Sequence, residues 1–364
     1  MNIVLLSWFQ TLLLVSNNSS SPSPSKWVRR TARKRQQTQE LLDSVPLPPL
    51  LIHKNAEFTS PMLLQAPELD WAHLPAEWDP QQGGKLREGS LRALRKRRQV
   101  EAFYYVSNRL LQGKGQTIID AGCGAGNLAI PLAGLLSEQN HKVVAIDVNP
   151  MAMSRLLERA PPNVQGICTD LAFSDTARMP AMKMDMVVSL HACGAATDLA
   201  IRLATSSRVP YCVSPCCTAK AVMDRQDEKY GPTASSQRSS APNDLNYPRS
   251  AWLRNALKPA ETISAVSLET CDDIVVKKGY QILAKVADVG LGPQTPLAQI
   301  EHQQRAKLLV EWDRLMETAE NHNYSVGIFH LKDHDEFYGK KELLVGVPNE
   351  NGMDLKKMLS EIAD

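Results

Sequence analysis

The stretch Asp120-Ala121-Gly122-Cys123-Gly124-Ala125-Gly126 has the residue types and spacing to hold a ligand against backbone. Three glycines at alternate positions allow a close approach, because a Cβ would clash and because such turns use positive φ. Ile118 and Ile119 ahead of the turn predict a strand, and the residues after Gly126 predict a helix offering its first amides to the ligand. The spacing separates two nucleotide ligands. A dinucleotide fingerprint reads G-x-G-x-x-G and cradles a pyrophosphate. Here the third glycine comes one residue early, and Asn127 follows it where that pattern wants glycine. Asp120 points the same way, since a carboxylate there repels a pyrophosphate but suits water or the α-ammonium group of a methionine moiety. The expected cofactor is therefore S-adenosylmethionine, held at Asp120, Gly122, Gly124 and Gly126.

Two more carboxylates belong to this pattern. Asp147 ends the next predicted strand and suits the two ribose hydroxyls, a feature shared with NAD-dependent enzymes. Asp170 follows the third strand and suits an adenine amine, or else caps a helix or solvates a loop. A second group of reactive side chains follows the fourth and fifth strands: His191, Cys193 and Asp198, then Cys216 and Cys217. Three readings compete for them. His191 or Asp198 can orient or deprotonate a methyl acceptor, imidazole having a pKa near neutrality. Cys193 or Cys216 can add to a pyrimidine ring as a thiolate. His191 with the three cysteines has the residue types for zinc, but adjacent cysteines without C-x-x-C make a poor tetrahedron, and no metal is expected. For Cys123 and Cys212 the plain alternative is a small buried hydrophobe.

The elements that must position these residues alternate. Strands are predicted at 117–120, 142–147, 164–169, 185–190 and 209–214, with helices at 127–136, 150–159 and 195–204 between them. Helices at 265–287 and 297–321 follow, then strands at 324–331 and 342–348 joined by a polar loop. Short, nearly continuous apolar strands between helices mark a parallel sheet covered on both faces. The expected fold is α/β and Rossmann-like, of the class I methyltransferase type. Its seven-stranded sheet is mostly parallel, with a terminal antiparallel hairpin. Residues 85–350 form this domain, and 218–250, rich in Ser, Pro and Gly, read as a mobile insertion. Residues 41–84 read as an irregular lead-in and 351–364 as a tail.

At 364 residues with 43% hydrophobic and 22% charged residues, the chain has the make-up of a globular enzyme. Its net charge of +2 hides an asymmetry. Residues 1–39 carry six basic side chains and no acidic one, which leaves 35 basic residues facing 39 acidic ones in the body. A basic pI is thus no sign of a nucleic-acid-coating protein. Residues 1–40 read as an organelle-targeting presequence or a disordered basic tail, and the apolar start 3–15 is too short to span a bilayer. Seven cysteines make no disulfide framework and favour a reducing compartment, either the cytoplasm or an organelle. A helix predicted from Lys85 to Leu111 carries Arg92, Arg95, Arg97 and Arg98, a stripe that can guide RNA phosphates or be a solvated helix face.

The fourth-strand end Ser189-Leu190-His191-Ala192-Cys193-Gly194-Ala195-Ala196-Thr197-Asp198-Leu199, the Pro215-Cys216-Cys217 piece, Tyr324-Ser325-Val326 and Val345-Gly346-Val347-Pro348 carry a family likeness. With them the chain resembles the methyltransferase domain of the glutathione S-transferase C-terminal domain-containing proteins. It is more distantly similar to methyltransferase-like proteins and transfer-RNA 2′-O-methyltransferases with a His-x-Cys-Gly signature. The likeness runs from about residue 85 to 350. The glutathione-transferase-like module of those proteins is not expected in the residues ahead of Lys85. The resemblance implies S-adenosylmethionine-dependent methyl transfer, with RNA the preferred acceptor and a protein side chain next. The rivals are a non-catalytic scaffold of the same fold and an NAD-linked oxidoreductase.

Overall fold

The computed structural model describes residues 26–45, 51–53, 56–58, 62–64, 66–82, 90–171, 183–190, 192, 194–215, 247–258, 269–288, 294–331, 342–351 and 355. Residues 1–40 and 41–364 form two compact units. Helix α1 (Lys26–Ser44) supplies the described part of the first unit and runs into the second. Three strands of three residues follow, β1 (Leu51–His53), β2 (Ala56–Phe58) and β3 (Met62–Leu64).

The alternating region then begins with α2 (Leu91–Leu110). Ser90 caps it, its hydroxyl accepting from the Ala93 amide, which puts the helix start later than the predicted Lys85. Then come β4 (Thr117–Ala121), α3 (Ala129–Leu135), β5 (Lys142–Asp147), α4 (Pro150–Leu157), β6 (Val164–Cys168), β7 (Met186–Leu190), α5 (Ala195–Ser206) and β8 (Tyr211–Ser214). Three helices, α6 (Ala251–Ala256), α7 (Glu269–Ala287) and α8 (Leu297–His322), precede the hairpin of β9 (Tyr324–Leu331) and β10 (Glu342–Pro348).

The strands join in the order β2-β1-β9-β10-β8-β7-β4-β5-β6, with β3 also on β9. From β8 to β6 all neighbours are parallel. Strand β10 is antiparallel to both β8 and β9. These seven strands are the expected sheet, Rossmann-like and mostly parallel with an antiparallel end. Ten strands are described rather than seven, because β1 and β3 share the outer edge of β9. Strand β1 runs antiparallel against Val326 and Gly327, and β3 parallel against Phe329 to Leu331. Three-residue strands have no periodicity to read, so the lead-in conceals them.

Each central strand divides its side chains between two cores, as a period of two demands. Ile118, Val143, Ala145, Met186 and Val188 face α2, α3 and α4. Ile119, Val144, Ile146 and Val187 face α5 and α8, where Trp312 and Leu315 are fully buried. A third cluster joins α7 and α8 to Leu42 and Val45 beyond the first unit. Among the described residues no helix is long and apolar enough to cross a membrane.

The carboxyl edge of the sheet follows from this order. The chain steps outward from β4 through β5 to β6, then returns to the other side of β4 for β7 and β8. At such a reversal the two flanking connections diverge and open a crevice beyond the strand ends, which is where ligands bind in open α/β sheets.

Candidate active site

The turn after β4 lies at that reversal. Gly122, Gly124 and Gly126 have φ of 75°, 55° and 83°, a region side chains rarely adopt. Neighbouring strands pin the turn. The amides of Gly122 and Cys123 donate to the Ile146 carbonyl at 2.8 and 3.0 Å, and the Ser189 hydroxyl on β7 donates to the Ala121 carbonyl at 2.7 Å. Packing crowds a side chain at two of the glycines. A Cβ on Gly122 meets Ala192 at 3.3 Å, and one on Gly126 meets Ile130 and Leu156 at 3.0 Å. A Cβ on Gly124 meets no protein atom within 4 Å. That position is glycine for its backbone and for whatever approaches it.

Three carboxylates stand at adjacent strand ends. Asp120, on β4, is fully buried. Neither of its oxygens makes a hydrogen bond of full geometry among the described residues, although the Ala129 amide stands near enough to favour the charged form. Burial pushes its carboxyl up to about 7, and Asp147 adds to the shift, while the Ala129 amide and Lys96 oppose it. Asp147 ends β5, where it accepts from the Gly124 amide at 2.8 Å and, on its other oxygen, from the Asn149 amide at 2.8 Å. It therefore ties the glycine turn to the start of α4, and each oxygen retains a lone pair. Asp170 follows β6, held beside β5 by the Thr169 amide bonding the Asp147 carbonyl at 3.0 Å. Strands about 4.8 Å apart bring these three acids to one edge.

Residues 95–224 match a family model described as a methyltransferase domain. That span is 130 of the 364 residues. The glutathione S-transferase C-terminal domain-containing protein of Bos taurus is 27% identical over 284 residues, 77% of this chain and 37% of its own length. Its Mus musculus counterpart is 26% identical over 320 residues, 86% of this chain and 42% of its own. The chain thus spans about two fifths of the length of the curated relatives it matches. Among solved structures, a plantazolicin methyltransferase in complex with SAH is 12% identical, covering 86% of this chain and 98% of its own at a TM-score of 0.35.

The remaining sequence candidates part company. His191, Cys193 and Cys216, with Cys217, lie outside the described residues. Asp198 is buried in the first turn of α5, but Arg314 on α8 and Arg249 reach it at 2.9 and 2.6 Å. Burial opposes its charge, yet Arg249 and Arg314 outweigh that and hold the carboxyl below the usual range. Asp198 was expected as a base or an orienting group for the acceptor, and the structure places it in this ion-pair cluster. A carboxylate bound by two guanidinium groups holds α5 to α8 and has little affinity for a proton. It lines a cavity of about 790 Å³ with Arg249, Arg314, Tyr247 and Lys277, none of them on the glycine turn. Cys123 and Cys212 are buried and their thiols pushed upward by burial, so both act as small hydrophobes.

The basic stripe of α2 is partly neutralised. Arg97 forms a two-pronged pair with buried Asp79 at 3.0 and 2.6 Å. Arg98 pairs with Glu101 at 3.1 Å and with Glu68. Both fasten the lead-in to α2, so half of the expected phosphate-guiding stripe has an internal use. Arg92 is exposed and Arg95 half-buried. Sequence reasoning missed Lys96, which acts on Asp120 from α2. The available signal was a lysine within the helical stripe Ala93, Lys96, Val100, Phe103. It also missed Arg159, which donates to the Ala125 carbonyl and braces the turn from behind α4.

Proposed function

We propose that this chain is an S-adenosylmethionine-dependent methyltransferase whose cofactor lies across the carboxyl ends of β4, β5 and β6. One observation carries the reading: the fully buried Asp120 carboxylate, which makes no hydrogen bond of full geometry among the described residues, under a turn of three positive-φ glycines. A buried carboxylate needs a cation or a donor beside it, and the α-ammonium group of a methionine moiety is both. The rest of the edge fits the same molecule. Asp147 has a lone pair on each oxygen for ribose hydroxyls, and Asp170 suits the adenine amine. Gly124 leaves room where a Cβ would stand. S-adenosylmethionine bound there supplies a sulfonium-activated methyl group for in-line transfer. The chain's own contribution is to fix the direction of approach, because two rigid strand ends and a pinned turn leave the ligand little freedom.

For the acceptor we propose RNA, on the narrower support of Arg92 exposed at the start of α2, with a protein side chain as the alternative. His191, Cys193 and Cys216 are proposed to serve the acceptor side. The test is transfer of a tritiated methyl group to RNA and protein fractions by wild type, Asp120→Ala and His191→Ala, with S-adenosylhomocysteine binding measured beside it. Asp120→Ala should lose binding and transfer together, and His191→Ala should bind but transfer less. Wild-type affinity in Asp120→Ala would overturn the site. A wild-type chain that binds but labels neither fraction would favour the non-catalytic scaffold.

A further inference from the structure

The cavity of about 790 Å³ beside Asp198 shares no lining residue with the glycine turn. One wall is a face of α5, where Asp198, Ile201, Arg202 and Thr205 recur at helical spacing, and α6, α7 and α8 contribute to the others. Among its described lining residues, five arginine and lysine side chains meet three carboxylates, an excess of two positive charges. The carboxylates are already engaged. Asp198 is shared by Arg249 and Arg314, Glu317 pairs with His322 at 3.2 Å, and Asp273 accepts from the Tyr247 hydroxyl at 2.9 Å. Two guanidinium groups still have donors to offer. Arg314 spends Nε and Nη2 on Asp198 at 2.9 and 3.3 Å, and its Nη1 is buried with no hydrogen-bond partner among the described residues. Arg254, half-buried on α6, gives Nη1 to the carbonyls of Pro248 and Arg249 at 3.1 and 2.6 Å and pairs with no described carboxylate.

We propose that this cavity binds the phosphate monoester of a small organic molecule, at a site separate from the glycine turn. A buried N–H without an acceptor is costly, and an oxyanion beside it removes that cost. The planar fork of a guanidinium matches the oxygens of a phosphate or a carboxylate. Charge decides between the two. A phosphate monoester carries about −1.5 to −2 at neutral pH, close to the excess in the lining, whereas a carboxylate cancels only half of it. Ile201 and Ile274 give the organic body an apolar wall, and the volume is that of a site for a molecule of nucleotide size.

Phenyl phosphate and benzoate are the probes, because neither has the adenosine that the glycine turn would hold. Both are titrated calorimetrically, at constant ionic strength, into the full chain as wild type, Arg254→Met, Arg254→Lys and Lys278→Met. Lys278 is an exposed cation of α7 outside the lining. Wild type should take up one phenyl phosphate and hold it at least about tenfold more tightly than benzoate. Arg254→Met should weaken phenyl phosphate about ten- to hundredfold, and Arg254→Lys, which keeps the charge without the fork, should recover part of the loss. Lys278→Met should stay within about twofold of wild type. Urea midpoints equal to wild type certify the variants as folded, and the comparison of the two probes on wild type depends on no variant. Wild type binding no phenyl phosphate, or binding benzoate as tightly, would overturn the proposal. So would wild-type affinity in Arg254→Met, or equal weakening by Arg254→Met and Lys278→Met.

Discussion

Asp120 is the residue at which fold and function pull against each other. An unliganded carboxylate in a dry site is costly, and the chain lowers that cost by holding the proton up to a pH of about 7. The folded chain therefore grips this proton more tightly than the unfolded chain does. The stability it contributes is full below the ordinary carboxyl pKa, near 4, and is lost as pH rises through about 7. Asp120→Asn keeps the shape and cannot ionise. Urea unfolding from pH 4 to pH 8 should find it more stable than wild type at pH 8, by on the order of 4 kcal/mol. The advantage should shrink steadily toward pH 4. Parallel pH profiles for the two proteins would show that Asp120 meets no such penalty, and the case for a cationic ligand beside it would weaken with that result. Asp147 differs because two backbone amides already satisfy its charge. Burial without a partner, rather than acidity as such, makes Asp120 the residue that awaits one.

At the scale of elements, the lead-in and α3 show how a segment without visible periodicity is fixed in place. The Trp71 indole donates to Glu101 on α2 at 2.8 Å, and the Trp78 ring covers Gly134 of α3 so closely that a Cβ there would lie 2.3 Å from it. In an ordinary helix interior Gly→Ala stabilises by about 1 kcal/mol. Here the sign should reverse, with Gly134→Ala losing about 1–3 kcal/mol in urea unfolding as the ring is displaced. Trp78→Ala in the same chain should recover part of that loss, and a purely additive double mutant would refute the contact. The long amphipathic α8 and the alternating β4–β8 region were legible because their patterns are local and repeat over many residues. Strands β9 and β10 were legible for the same reason. Strands β1 to β3 were not, since β1 and β3 are held by β9, a partner more than 260 residues further along the chain, and β2 pairs with β1. The glycine turn with Asp120 could be read because its chemistry lies within seven consecutive residues. Lys96 and the pairing of Asp198 could not, because each depends on an element that only the folded chain brings near.

Across the whole molecule, α8 is where the layers are joined by charge. Arg249, Lys307 and Arg314 are buried with Asp198, Asp313, Glu311 and Glu342, linking α5, the segment before α6, α8 and β10. Sets of this kind define a unique arrangement more than they add stability, and they fail sharply when one member is removed. Lys307 is the member most exposed to that failure. It stands 3.3 Å from Glu311 and also pairs with Glu342, and it alone among their described ion-pair partners carries positive charge to both. Burial already pushes the Glu311 carboxyl up to about 8, even with Lys307 beside it. Lys307→Met removes the counter-charge and keeps the volume, so both glutamates should be driven further toward their protonated forms. The folded pKa of Glu311 then lies still higher above its unfolded value, and Glu342, which Lys307 now holds below the usual range against the pull of burial, rises as well, so stability is lost as pH rises. Lys307→Met should accordingly lose about 3–5 kcal/mol at pH 8 and distinctly less at pH 5.5, as read from urea unfolding at the two values. Adding Glu342→Gln should recover stability mainly at pH 8. An equal loss at both pH values would mean that Lys307 acts through packing alone, and that α8 and the terminal hairpin are joined by their apolar faces rather than by this buried charge.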